Sequence, residues 1–369
     1  MVAEASGYAP GGAVAVHLVA DPGLPADLAH DLAGELPQVL SRQVSDQVQW
    51  QVNVESDRMV LDHQGELLLS DVVAQGSAAQ DWDLVIYLTD HPRRIGLRPL
   101  VADLKRDGGV ALACLPALGM LRLEHRARVL VVRLVEEFVG EGGQARHDIG
   151  GPLAAIRRDT PEEGEIDVRF VGTGGRGQLR LVAGMVRANR PWRLVPALSG
   201  AFAGALATGA YVLISQQLWR LADALGPMRL TIASVFAVAA MIVWLIVDHH
   251  LWERPSGQAA RQLAVLYNTA TSLTLTVGVL SLYAGLFALS LLAGAFLLPS
   301  RVLREALGRQ VNWGDWVTIA WFVTSVATVG GAIGSSLESD EAVRQAAYGY
   351  RQRERRRRQD EDERSRRDE

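Results

Sequence analysis

At 369 residues the chain can hold two domains, and its formal charge of −4 supplies no global positive field to recruit nucleic acid. A single cysteine, Cys114, excludes an internal disulfide and a cysteine-based zinc site and suits a reducing compartment. The N-terminal "MVAEASGYAPGG" has no basic stretch followed by an apolar core, so a disordered N-terminus (1–12) is expected rather than a signal peptide.

From residue 13 to 140 strands alternate with helices. "AVAVHLVA" (13–20) reads as a buried strand, and "PADLAHDLAGELPQVLSR" (25–42) has helical spacing with Pro25 early, where proline is tolerated. Pro37 should kink or end that helix. "VQWQVNVES" (48–56) alternates as a half-buried strand; "DLVIYLTD" (83–90) and "GVALACLP" (109–116) are buried runs. "RPLVADL" (98–104) reads as a short strand between them, at the sheet edge. "LEHRARVLVVRLVEEFVG" (123–140) is an amphipathic helix stopped by Gly140. The expected fold is a soluble α/β domain followed by an all-α transmembrane bundle of about four helices.

The exit of the 83–90 strand gathers Thr89, Asp90, His91, Arg93 and Arg94. Thr89 and Asp90 suit loop capping. The two arginines suit an anion or an acidic partner. The cluster therefore reads as a solvated loop, with a partner contact or a ligand site as alternatives.

No catalytic, cofactor-binding or metal-binding set is expected. "GTGGRG" (172–177) lacks the Lys-Ser/Thr of a phosphate loop and reads as a hairpin-like turn. Of eight histidines only His249 and His250 are adjacent, and neighbours on a helix point apart. Cys114 sits in an apolar strand and reads as core.

Residues 141–193 should form a glycine- and charge-rich link, a hairpin and an amphipathic helix, "QLRLVAGMVRANRPWRL". Its Arg187, Arg190 and Arg193 suit anionic lipid headgroups. Residues 194–337 carry apolar runs of spanning length, about 194–218, 230–247, 268–298 and 316–337. Trp192, Trp219, Trp252, Trp313 and Trp316 fall near their ends. The middles hold no charged residue or histidine, which disfavours ion-coupled transport. Gly200 and Gly204, like Gly330 and Gly334, stand four apart and let helices approach closely, within one bundle or between subunits.

Arginines before the first run, Arg254 and Arg261 after the second, and "RQRERRRR" (351–358) place both termini in the cytoplasm of a multi-pass plasma-membrane protein. Arg301, Arg304 and Arg309 then fall outside, on an interfacial helix "SRVLREALGRQV". The tail, 338–369, is charged and nearly neutral as a whole, which makes nucleic acid an unlikely partner.

The order of elements in 13–140 resembles the catalytic half of metzincin-type, archaemetzincin-like zinc proteases. There a helix carries H-E-x-x-H before a glycine. Here "RLVEEFVG" puts Arg133, Leu134 and Glu137 at the positions of the first histidine, the glutamate and the second histidine. The resemblance implies a protease-like fold without the zinc chemistry. "GMVRANRPWRL", "ATVGGAIG" and "SSLESDEAVRQAAY" are similar to stretches in an uncharacterised actinobacterial family of four-span membrane proteins. That resemblance implies a shared architecture and brings no activity with it. Three functions follow as expectations: a membrane anchor or adaptor that recruits a cytoplasmic protein through the α/β domain, a homo-oligomeric pore gated by it, or an enzyme acting at the membrane surface.

Overall fold

The computed structural model describes residues 12–57, 82–140, 151–161, 166–191, 194–253 and 258–336. The expected disorder of 1–11, the 141–150 link, Trp192, Arg193, Arg254 and the charged tail lie outside these residues. Two units divide the chain, Met1–Ala188 and Asn189–Glu369.

In the first unit the strands are β1 (Ala13–Ala20), β2 (Gln49–Ser56), β3 (Leu84–Thr89), β4 (Arg93–Ile95), β5 (Arg98–Lys105), β6 (Val110–Cys114), β7 (Ile156–Asp159) and β8 (Val168–Gly172). They form one sheet in the order β2-β1-β3-β6-β5-β8-β7, with β4 paired to β5. β2, β1, β3 and β6 are parallel, and β5, β8 and β7 each run antiparallel to the neighbour before them. The parallel strands are the continuous apolar runs, as strands covered on both faces must be. Val16 and Leu18 of β1 share a face with Leu84 and Ile86 of β3, all fully buried.

Among the described residues three α-helices accompany the sheet: α1 (Leu24–Gln43), α2 (Leu123–Val139) and α3 (Gly174–Ala188). α1 buries Leu28, Leu32, Leu36 and Leu40, a helical stripe worth about 1.5–3 kcal/mol per side chain. Pro37 sits inside this helix without ending it.

Three expectations change here. β5 is no edge strand: it lies between β6 and β8 with six of its eight residues buried. The outer positions are taken by β7 and β8, from the stretch expected to be link and hairpin. "GTGGRG" is no hairpin turn but the passage from β8 into α3, begun at Gly174 with φ 61°. Gly177 belongs there because a Cβ would sit 2.9 Å from the Gly172 carbonyl carbon. The α/β unit therefore runs to Ala188 rather than 140.

The second unit is helical: one turn at Leu194–Ala197, then α4 (Ser199–Ile214), α5 (Gln216–Asp248), α6 (Gln258–Leu297), α7 (Ser300–Leu307) and α8 (Trp313–Ser335). Three helices are long and apolar enough to cross a membrane: Gln216–Asp248, Ala264–Leu297 within α6, and Trp313–Ser335. α4 is apolar but shorter, because Ser215 leaves helical geometry at φ −93°, ψ 104°. The first run thus stops at Ile214, not at residue 218. Residues 216–225 turn off as a separate helical piece, broken from the rest of α5 at Gly226 (φ 69°, ψ 165°) before Pro227. Trp219 is buried there, donating through Nε1 to the Leu213 carbonyl at 2.9 Å, rather than sitting free at an interface. α7 matches the expected amphipathic segment, with Leu303 and Ala306 buried.

α4 and α8 pack antiparallel along a seam of small residues. Gly204 meets Gly330 and Gly334, and Gly209 meets Ala327 and Val323. A Cβ on Gly334 would lie 2.5 Å from the Gly200 carbonyl oxygen. All four glycines of the two spaced pairs thus serve contact within the chain.

Candidate functional site

In an open α/β sheet, ligands bind at the carboxyl ends of the strands, where connections leave in opposite directions. Here that point lies between β1 and β3: β1 connects through α1 to β2 on one side, and β6 follows β3 on the other. The chain closes it with its own side chains. The Asp21 amide donates to the Leu88 carbonyl at 3.0 Å. Thr89 Oγ1 donates to Asp21 Oδ2 at 2.6 Å and accepts from the His91 amide at 3.0 Å. Cys114 Sγ donates to the His91 carbonyl at 3.1 Å. Thr89 and Asp21 are fully buried, and Asp90 and His91 nearly so. This corrects the expected partner site: Thr89 and the His91 backbone tie the strand ends together, and Thr89, Asp90 and His91 are all buried.

Arg93 also turns inward. Its Nη1 lies 3.1 Å from Asp103 Oδ2, and Arg169 Nε reaches Asp103 Oδ1 at 2.8 Å. Asp103 is fully buried on β5, so its charge needs the two guanidinium groups. Arg94 Nη2 donates to the Leu97 carbonyl at 3.2 Å across the β4–β5 turn, and partial burial pushes its pKa down.

The surface begins only beyond Arg94. The β4–β5 hairpin turns at Gly96 (φ 56°) and exposes Ile95 and Leu97, the latter by 60%. Arg98 is exposed beside them. Gln178 Nε2 of α3 lies 3.4 Å from the Leu97 carbonyl, which brings up the next residue, Leu179, 72% exposed, with Arg176 on the same helix. Sequence reasoning missed this tip because Leu97 and Leu179 are 82 positions apart and read singly as ordinary apolar residues.

A second polar group was also missed. His17 of β1 lies 3.0 Å through Nε2 from Glu55 Oε2 of β2, and its ring stacks on Trp82 at 4.3 Å between centroids. Tyr87, buried on the same sheet face, has its pKa raised by burial and by Asp57 and Glu55. The parallel pairing of Val19 with Glu55 would have placed His17 and Glu55 on one face.

The stretch matched to the protease motif is structural. Leu134 is fully buried. Arg133 pairs with Glu136 at 2.7 Å and approaches Glu137 at 3.8 Å. Buried Glu137 also binds Arg106 at 3.3 Å and Arg158 at 2.9 Å. Among the described residues no group of three or more His, Cys, Asp or Glu is placed to hold a metal ion. Of the expected lipid-facing arginines, Arg187 donates through Nη1 to the Met120 carbonyl at 2.9 Å, and Arg190 adopts a left-handed backbone at φ 52°.

The chain matches no protein-family model, no curated protein and no solved structure.

Proposed function

We propose that the chain is a membrane-anchored adaptor whose α/β unit recruits a soluble cytoplasmic protein through the β4–β5 hairpin. The observation that carries this reading is the exposed tip of Ile95, Leu97 and Leu179 among Arg94, Arg98 and Arg176. Apolar anchors inside a charged rim are the composition of a binding hot spot. The arginines select a partner with acidic groups around an apolar socket. The polar groups that would suggest chemistry at the strand ends are bonded to one another instead.

In this reading α4, α5, α6 and α8 span the plasma membrane, and both termini are cytoplasmic. Arg187, Arg190 and Arg261 flank the inner ends of the helices. Arg301, Arg304 and Arg309 on the outer side stand against that topology, but two are engaged by acids. Arg301 pairs with Glu305 at 3.3 Å, and Arg309 pairs with both Asp315 and Asp223. Kinship with the actinobacterial family belongs to the same proposal and rests on the three stretches quoted above. The oligomeric pore would need a contact other than the glycine seam, which α4 and α8 fill between themselves.

A photo-crosslinking residue at Leu179, introduced into the full chain in living cells, tests the reading. A discrete soluble protein should be captured, and Leu97→Asp should abolish the capture. Capture of further copies of the chain alone would sink the adaptor and favour the oligomer.

A further inference from the structure

Along α3, between Arg180 and Arg187, lies a second apolar and basic prominence. The segment Gly119–Arg122 joins the short helical turn Leu115–Leu118 to α2. Gly119 (φ 88°) and Arg122 (φ 51°) both take positive φ, an arrangement that costs energy at the arginine. It turns Met120 outward by 43% and Leu121 by 69%, side chains that ordinarily seek cover.

The prong is held in place by basic side chains. Arg126 Nη1 donates to the Leu118 carbonyl at 2.7 Å, and Arg187 Nη1 to the Met120 carbonyl at 2.9 Å. Arg122 is exposed, with Glu124 and His125 exposed just beyond it. Arg180, on the same side of α3, has its pKa lowered by burial and by the neighbouring charges of Arg126 and Arg176. Positive charge is therefore concentrated beneath two exposed apolar side chains, the composition of an interfacial membrane anchor.

Chain length argues for the occupant. Arg187, which grips the prong, lies in the last turn of α3, which ends at Ala188. The first apolar helical turn of the second unit begins at Leu194. Only six residue steps separate the end of α3 from that turn. The hairpin tip lies by Gln178, nearer the start of the helix.

We propose that Met120 and Leu121 insert into the headgroup region of the leaflet at which the chain enters the membrane, with Arg122, Arg126 and Arg187 against anionic lipid phosphates. The prong then fixes the α/β unit on the bilayer surface, independently of any protein that the hairpin binds. Anionic headgroups add attraction that a zwitterionic surface lacks.

The full chain, carrying Leu121→Cys labelled with an environment-sensitive fluorophore, is reconstituted in phosphatidylcholine vesicles with and without phosphatidylglycerol. Buried Cys114 leaves labelling directed to the new thiol. Co-flotation with the vesicles shows the helical unit inserted, so the fluorescence reports on the prong alone. In the anionic vesicles the label should be quenched by headgroup-region spin-labelled lipid and protected several-fold from aqueous iodide, relative to a label at Leu97→Cys. Arg122→Glu should remove most of that protection. Equal iodide quenching at 121 and 97, or protection unchanged when phosphatidylglycerol is omitted, would overturn the proposal.

Discussion

Arg158 Nε lies 2.9 Å from Glu137 Oε1, and its Nη2 lies 3.2 Å from Oε2, a forked pair that ties α2 to the outermost strand β7. Both side chains are largely out of solvent, with Glu137 3% exposed and Arg158 11%. A planar guanidinium matches both carboxylate oxygens, which makes such pairs geometrically selective. Glu137→Ala would leave the largely buried Arg158 and the half-buried Arg106 without their shared acid. The expected loss is about 3–5 kcal/mol, read as a lowered unfolding midpoint of the α/β unit in the full chain. Glu137→Asp, too short to reach both arginines, should recover only part of it. An unchanged midpoint for Glu137→Ala would show the pair to be ornamental.

Why Glu137 drew attention from sequence, and why its role did not, shows what local pattern carries. The runs that became β1, β3, β6 and α2 were legible because burial writes itself into consecutive residues. β7, "IRRD", could not be read: only Ile156 is fully buried, and an edge strand with arginines looks like a loop. Missing β7 and β8 misplaced β5, whose central position is set by strands more than fifty residues later. The strand-end cluster failed for the same reason. Thr89 and Asp21 are 68 positions apart, and only the parallel pairing of β1 with β3 brings them within 2.6 Å. In the helical unit apolar length was plain, but Ser215 and the Gly226–Pro227 break lie inside a run that hydropathy alone treats as continuous.

The glycine seam makes a steric prediction. Gly334→Ala would press a methyl group onto the Gly200 carbonyl, on backbone that cannot yield as a side chain can. Overpacking of this kind costs about 1–3 kcal/mol. Thermal unfolding in mild detergent should report a lower midpoint for Gly334→Ala. Gly285→Ala, where a Cβ meets nothing within 4 Å, should leave it unchanged or slightly raised. Equal effects at both sites would remove the seam as the contact that sets the α4–α8 distance.

Cys114 supplies a pH dependence with a defined sign. Its thiol is buried, and burial pushes the pKa above the ordinary value of about 8.5. A group with a raised folded-state pKa holds its full contribution below the unfolded value and loses it as pH rises toward the folded one. The α/β unit should therefore lose stability above about pH 8.5, and Cys114→Ala should flatten that slope. Tyr87, raised for the same main reason, should add a further decline above about pH 10. Alkylation of Cys114 near neutral pH should proceed no faster than unfolding of the unit. Rapid labelling of the folded protein would contradict the burial on which both expectations rest.

Three helices long and apolar enough to cross a membrane share one polar knot. Ser234 Oγ of α5 accepts from Trp321 Nε1 at 2.6 Å and from Tyr283 Oη at 3.0 Å, while Ser325 Oγ lies 2.9 Å from the same phenol. Hydrogen bonds between helices in a membrane average about 0.6 kcal/mol and reach about 1.7, because partners can be found in the unfolded state too. Tyr283→Phe removes one donor and leaves Ser234 bonded to Trp321 and to the Leu230 carbonyl. Ser234→Ala removes the acceptor of two donors at once, leaving the Trp321 N–H facing apolar surroundings. Ser234→Ala should therefore cost more than Tyr283→Phe, and the double variant should cost less than the sum of the two. Unfolding free energies in one detergent complete the cycle. Strict additivity, or a larger loss for Tyr283→Phe, would show that the three helices are held by their apolar packing, with the hydroxyl groups as bystanders.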